Sequence, residues 1–350
     1  MKSLFVLSFL VMALTISNCV SSKKEKEEYN LREKTELLPR EKILAMIELE
    51  DNSKELIGPN RQELEEKDEK FRERLTNLTP MSEMFEDILI RKKMLSEKKE
   101  EQTAIIELPI DVDMRDYASS IKEQWNGTCS AFGLIAAQEV AHCKQRGECG
   151  LDLSERHFWS FYKKYSAPIA LEMSSNFVAL DKYWPQSQID KPSSIDSYAN
   201  YRVSESEYLG GDTEKAKKKV LEALAQGRPV YMWSQTPSCM LTCKKTCNSS
   251  NSSFEDGGHA YAVVGYFNKE NPTLIIKNSW GSDCGDNGYQ YMSFKIWDNA
   301  TYWEAASIIQ TENKGIPNIP DAPKYITKCE YRWAWSHFWT KKKYCWEEEI

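Results

Sequence analysis

The chain has 350 residues, with 46 Lys and Arg against 53 Asp and Glu and a formal net charge of −7. That length allows one large domain, or two moderate ones with an appendage. An acidic balance with a pI near 5.5 gives no support to nucleic-acid binding and fits a soluble protein.

The N-terminus carries Lys2 followed by an apolar run over residues 4–14. The run is too short to span a bilayer but suits the core of a signal peptide over residues 1–19. No later segment is apolar enough to cross a membrane, so an exported rather than an integral protein is expected. Ile16-Ser17-Asn18-Cys19 loosely resembles a lipoprotein box, with Asn18 unusual before the Cys. A lipid anchor at Cys19 and simple cleavage both remain open.

Residues 20–107 differ from the rest. From residue 23 they are rich in Lys and Glu, lack Cys and Trp, and carry helical patches over 62–75 and 84–95. They read as a solvated helical linker or as a pro-segment that covers a site until removed. Residues 108–115 form a short extended segment, because Pro109 biases its predecessor away from helix.

Residues 129–146 read as an amphipathic helix. Ala131, Phe132, Leu134, Ile135, Ala136 and Val140 supply its buried face, Gly147 stops it, and Thr128 is the expected cap. A second helix is expected over 212–226, with Asp212 as N-cap and Gly227 past its end. Strand-like runs follow at 229–234, 259–267, 273–277 and 288–294. Helices first and strands later imply an α+β fold, a helical half and a sheet half meeting at a cleft.

Ten cysteines in an exported chain point to disulfides. Setting aside Cys19 and Cys129 leaves eight, enough for four bridges. Cys239, Cys243 and Cys247, spaced by four near Cys284, could bind a metal as thiolates, but disulfides are preferred in an oxidising compartment. Cys329 and Cys345 bracket a tail, residues 316–350, containing Trp333, Trp335, Trp339 and Trp346. Its indoles either pack on the domain or form an aromatic contact surface.

Cys129 opens the first helix, and the dipole and free N–H groups of a helix N-terminus stabilise a thiolate. His259 begins an apolar strand and Asn278 follows another. Each alone is an ordinary edge histidine or turn amide. In this order they supply a nucleophile, a proton acceptor and a group to hold the imidazole.

His259-Ala260-Tyr261-Ala262-Val263-Val264-Gly265-Tyr266 and Lys277-Asn278-Ser279-Trp280-Gly281, with Gly285-Asp286-Asn287-Gly288-Tyr289 behind it, resemble the papain (C1) family of cysteine peptidases. Residues 109–115 resemble that family's mature N-terminus, and Leu153-Ser154-Glu155 its post-helix segment. The Cys-to-His and Cys-to-Asn separations of 130 and 149 residues lie within the family's window of about 130–150. The resemblance covers about residues 108–310. It implies a two-lobed fold, a helical lobe and an antiparallel barrel-like lobe with the site between them, over a peptidase domain of residues 108–315.

It further implies Cys129 as nucleophile, His259 as general acid and base, Asn278 as the group orienting His259, and Trp280 as the shield of that hydrogen bond. An upstream Gln would join the Cys129 backbone N–H in holding the oxyanion. No cofactor or metal is expected, and the partner is a peptide or protein substrate. Residues 75–85 faintly resemble the end of an inhibitory propeptide.

The chain departs from the family around its nucleophile. Gln124 lies five residues before Cys129, where the family's Gln lies six before; without a one-residue gap, Glu123 takes that place. The gapped reading keeps the amide and is preferred. Asn126 stands where the family has a Cys, Ser130 replaces a Trp, and Gly258 precedes the His in place of a frequent Asp. The glycine-rich specificity motif is missing, its approximate place taken by residues 173–177. These changes keep two other readings open: a catalytically silent binding protein, and a thiol acyltransferase using the same residues. The sequence leaves the oligomeric state open.

Overall fold

The computed structural model describes residues 37–52, 69–80, 107–163, 166–248, 253–315, 325–333 and 341–349. The expected signal peptide, Cys19 and the helical patch at 84–95 lie outside them. The chain divides into two compact units, Met1–Lys42 and Ile43–Ile350. Of the first, only residues 37–42 are described, including the start of α1 (Arg40–Asn52). Everything below belongs to the second.

That unit has the α+β, two-lobed architecture. After α2 (Glu69–Thr76) and the short β1 (Val112–Asp113) come the helices α3 (Cys129–Arg146), α4 (Glu155–Trp159) and α5 (Ala167–Met173). The sheet is built from β2 (Tyr201–Gly210), β3 (Val230–Pro237), β4 (Thr246–Cys247), β5 (Phe254–Phe267), β6 (Thr273–Lys277), β7 (Tyr289–Ser293) and β8 (Trp303–Asn313). The order is β2-β8-β3-β5-β6-β7-β4, with β1 on β5. All these pairings are antiparallel except β4 with β7. Helices α6 (Glu214–Ala225) and α7 (Ser238–Leu241) sit between strands in the chain.

The helix α3 begins at Cys129 and ends where Gly147 turns left-handed at φ 71°. Its burial is broader than one amphipathic face, because every residue from Cys129 to Cys143 is buried. The polar members are held by partners: Glu139 accepts from the Leu153 N–H and the Ser119 hydroxyl, and His142 meets Glu148 and Thr311. Thr128 does not cap. Its hydroxyl donates to the Trp125 carbonyl at 2.5 Å, tying the preceding turn.

Asp212 likewise is not the cap of α6. The helix starts two residues later at Glu214, capped by Thr213, whose hydroxyl accepts the Ala216 N–H. Asp212 turns left-handed at φ 53° and its carboxylate accepts the Trp303 N–H, joining this loop to β8.

Gly133 seats α3 on the sheet. A Cβ there would come within 2.8 Å of the Tyr261 backbone nitrogen on β5, so only glycine lets the Cys129 helix approach the His259 strand this closely. Gly133→Ala is expected to cost about 1–3 kcal/mol through overpacking, read from the urea midpoint.

Among the described residues three disulfides form: Cys143–Cys149, Cys239–Cys247 and Cys243–Cys284. The last two staple the loop around α7 and β4, so the four cysteines weighed as a metal site are consumed in pairs. Cys129 stays free. In the C-terminal hairpin of β9 (Tyr325–Trp333) and β10 (Lys341–Glu349), the backbone register sets Cys345 opposite Cys329. No helix among the described residues is long and apolar enough to cross a membrane.

Candidate active site

The N-terminal end of α3 presents Cys129 toward β5, and the Ala260 backbone N–H reaches the thiol from that strand. The antiparallel register of β5 with β6, Ala262 opposite Lys277 and Val263 opposite Ile276, carries the chain leaving β6 alongside His259. There His259 Nε2 donates to Asn278 Oδ1 at 2.8 Å. The Trp280 ring stacks on the imidazole, with centroids 4.2 Å apart and planes 18° from parallel. His259, Asn278 and Trp280 are all buried.

The Gln124 side of the cleft is fixed by a clasp. Gln124 N donates to the Ser279 carbonyl at 2.7 Å, and Ser279 Oγ donates to Gln124 Oε1 at 2.7 Å. That leaves Gln124 Nε2 buried with no protein acceptor. A buried amide donor without a partner costs stability, so its retention needs a reason outside the resting fold. Glu123, the competing residue, is exposed and pairs through its backbone with Trp280. Of the two, only Gln124 offers a buried, unspent donor.

Charge at the site is set by burial. The Cys129 thiol is pushed above its ordinary value by desolvation, only partly offset by N–H donors and by a hydrogen bond from the Thr79 side chain. His259 is pushed down to about 4 by desolvation, opposed by its bond to Asn278. Both groups are therefore neutral near neutral pH. Residues 69–80 lie against this site. Thr79 forms an antiparallel two-bond pair with Gly258, N–H to carbonyl at 3.0 Å and the reverse at 2.8 Å. Leu78 packs so tightly that a Cβ on Gly257 would meet it at 2.6 Å. Behind it, α2 is docked on the stapled loop, where Arg74 Nε donates to the Leu241 carbonyl at 2.7 Å.

The neutral imidazole makes the Thr79–Gly258 cover sensitive to acid. An opened or unfolded state, with an ordinary His near 6.5, binds one more proton than the covered state as pH falls from 6.5 toward 4. Stability from His259 is present above that window and is lost through it, by up to tenfold in the equilibrium per pH unit. Hydrogen exchange at the Thr79 and Gly258 amides, corrected for intrinsic rates, should show protection falling over that window in wild type. In His259→Gln the same protection should stay flat.

The family model described as papain family cysteine protease matches residues 108–307, more than half of the chain. This chain belongs to the papain family of cysteine proteases. Among curated relatives, it is 27% identical over 197 residues to Gamete and mating-type specific protein A of Dictyostelium discoideum, covering 51% of this chain and 41% of that protein. It is 25% identical over 208 residues to Peptidase 1 of Dermatophagoides pteronyssinus, covering 54% and 62%. The matched stretch thus spans less than two thirds of either relative. Two solved structures share the fold. One is the Amb a 11 cysteine protease of ragweed pollen in its proform, with TM-score 0.54, 16% identity and 85% and 89% coverage. The other is xylellain of Xylella fastidiosa, with TM-score 0.50, 19% identity and 60% and 90% coverage.

For a papain-family chain, the surroundings of the thiol hold residues that motif reading does not single out. Ser130 Oγ and the Tyr162 hydroxyl lie 3.0 Å apart, so the residue standing in place of Trp is engaged by a phenol. Burial pushes the Tyr162 and Tyr302 hydroxyls up, and both lie close enough to Cys129 for a charge there to push them further. Thr79 and Gln290 also enter the site; Gln290 belongs to no motif, and Thr79 lies within the faintly propeptide-like residues 75–85. Residues 173–177 sit at the end of α5, where Phe177 lies beneath Arg202 and Lys314.

Proposed function

We propose that this protein is an exported cysteine peptidase that hydrolyses peptide bonds through an acyl-thioester on Cys129, and that residues 20–107 are its pro-segment. The observation that carries the reading is the set of polar groups around one neutral thiol. His259 is held by Asn278 at 2.8 Å under Trp280, with Gln124 Nε2 buried and unspent.

Once Thr79 leaves, water and substrate dipoles replace the apolar cover, and the thiol proton passes to His259 Nδ1. The thiolate attacks the substrate carbonyl carbon. The carbonyl oxygen takes the negative charge and is held by the Cys129 backbone N–H and Gln124 Nε2. His259 returns its proton to the departing amine, leaving the acyl-thioester. Water, deprotonated by the same imidazole, then releases the acid and restores the thiol. Asn278 keeps Nε2 protonated throughout, and Trp280 keeps water from that bond. Peptides and proteins are the substrate class.

Export rests on the apolar run at residues 4–14 and on three disulfides in one domain. The zymogen reading rests on the Thr79–Gly258 pairing across the thiol. An epoxide probe that alkylates activated thiols tests both readings. Labelling is expected to be slow in the intact chain, fast after proteolytic removal of the pro-segment, and absent in Cys129→Ala. A folded, reduced, processed protein that takes no label is a silent binding protein instead. Product analysis with added amines separates hydrolysis from acyl transfer.

A further inference from the structure

We propose that Gln290 is a positioning residue: it sets the polarity of the Asn278 amide, and through it the tautomer of His259, taking its own orientation from the disulfide-stapled loop 239–247. The inference rests on the peptidase reading for its consequence but on separate geometry for its cause.

Gln290 is fully buried on β7. Its Nε2 donates to two backbone carbonyls, Lys244 at 2.9 Å and Met240 at 3.2 Å. Its Oε1 accepts from Asn278 Nδ2 at 2.7 Å. An amide has a donor end and an acceptor end, and carbonyls accept only. Two carbonyls on one side therefore force Nε2 toward the loop and Oε1 toward Asn278. Facing an acceptor, Asn278 must present Nδ2 to Gln290 and Oδ1 to His259. Oδ1 in turn requires a proton on His259 Nε2, which leaves Nδ1 as the lone-pair nitrogen. The Ser279 N–H, donating to the same Oδ1 at 2.7 Å, agrees in sign.

The polarity thus starts at two main-chain carbonyls on a loop that Cys239–Cys247 and Cys243–Cys284 hold in place. Pairing of β4 with β7, Thr246 opposite Tyr291, and the Tyr291 N–H donating to the Lys245 carbonyl at 2.8 Å fix the loop against Gln290's own strand. Without Gln290, Asn278 Nδ2 is a buried donor lacking its acceptor, and a flipped amide gives His259 the wrong tautomer. In serine proteases the wrong tautomer costs about 10⁴ in rate. Here the Ser279 N–H resists the flip, so a smaller loss follows.

The test compares Gln290→Leu and Gln290→Asn, the latter too short to span both partners, with wild type after pro-segment removal. The expected result is a fall in kcat of about tenfold or more with KM unchanged. The pH profile of Cys129 alkylation should also narrow, its acid limb moving up and its alkaline limb down as the imidazolium loses its fixed acceptor. A purely structural role would lower Tm and the titratable thiol fraction without moving either limb. Folded variants with wild-type kcat and limbs overturn the proposal.

Should neither variant fold, wild-type NMR of the intact chain decides. Protected Gln290 Nε2 protons with His259 protonated at Nε2 support the proposal; a freely exchanging Gln290 amide or an Nδ1–H tautomer overturns it. A wild type whose processed thiol is inert removes the peptidase reading and leaves the NMR outcome standing.

Discussion

Cys129→Ala is expected to lower peptide hydrolysis by the processed protein by roughly 10⁶-fold, the scale seen when a covalent nucleophile is removed from a hydrolase triad. The imidazole remains, but no group at the N-terminus of α3 can form the acyl intermediate, and water attacking directly must lose its proton without covalent help. Residual rate would come only from oxyanion stabilisation and substrate positioning. The fold should tolerate the change. Alanine is a good helix former at the first position of α3, and the thiol's main neighbours are backbone amides and the Thr79 side chain. The measurement is kcat and KM on a peptide substrate, with denaturant midpoints in parallel. A variant that keeps wild-type turnover would mean that another group carries the chemistry. A variant that unfolds would make Cys129→Ser the variant to assay, with a loss of the same order.

How much of this site was legible in the sequence follows from how local each signal is. The α3 boundaries were readable because an apolar run ends at a glycine that goes left-handed, and both features lie within the segment itself. Thr273–Lys277 was readable as a strand because Thr273, Ile275 and Ile276 are β-branched and Leu274 is apolar. Strand β2, Tyr201–Gly210, was not. Its central residues, such as Glu205 and Ser206, are exposed, and it is held by pairing with β8, from Tyr201 opposite Asn313 to Gly210 opposite Ala305, far along the chain. The caps of α3 and α6 failed for one reason: Thr128 and Asp212 each have the chemistry of a cap, but a nearer or better-placed partner takes the side chain.

The site divides the same way. Cys129, His259 and Asn278 could be named because their order and spacing along the chain supply a thiol, a proton acceptor and a group to hold the imidazole, though each alone is ordinary. What joins His259 to Asn278 is register, decided by the pairing of β5 with β6, and what brings Cys129 to them is the packing of α3 on β5. Gln124 against Glu123 could not be decided by counting residues along the loop. The decision rests on which side chain turns inward, and the Ser279 clasp that turns it lies 155 positions away. Gln290 carries no motif at all, and Thr79 only lies within the faintly propeptide-like residues 75–85. A threonine beside a proline and a glutamine in a strand become meaningful only when a thiol and an asparagine amide lie against them.

Gln124→Ala is expected to reduce kcat by about 100- to 1000-fold, or about 2.7–4 kcal/mol, while leaving KM nearly unchanged. The asymmetry is physical. In the resting protein Nε2 has no acceptor, so losing it sacrifices no ground-state hydrogen bond and removes a buried polar group that was uncompensated. In the tetrahedral intermediate the same nitrogen faces a full negative charge in a site screened from water, where one donor is worth most. Stability should therefore hold or rise slightly in Gln124→Ala, apart from the lost Ser279 hydroxyl partner. Gln124→Glu sharpens the comparison. An ionised carboxylate repels the developing oxyanion, so the loss should be at least as large and should lessen toward acid pH, where the carboxyl can protonate and donate. Glu123→Gln is the control, since that exposed side chain should leave kcat within about twofold. If Gln124→Ala keeps wild-type kcat while Glu123→Gln loses it, the oxyanion donor has been assigned to the wrong side chain, and the peptidase must stabilise its intermediate from position 123.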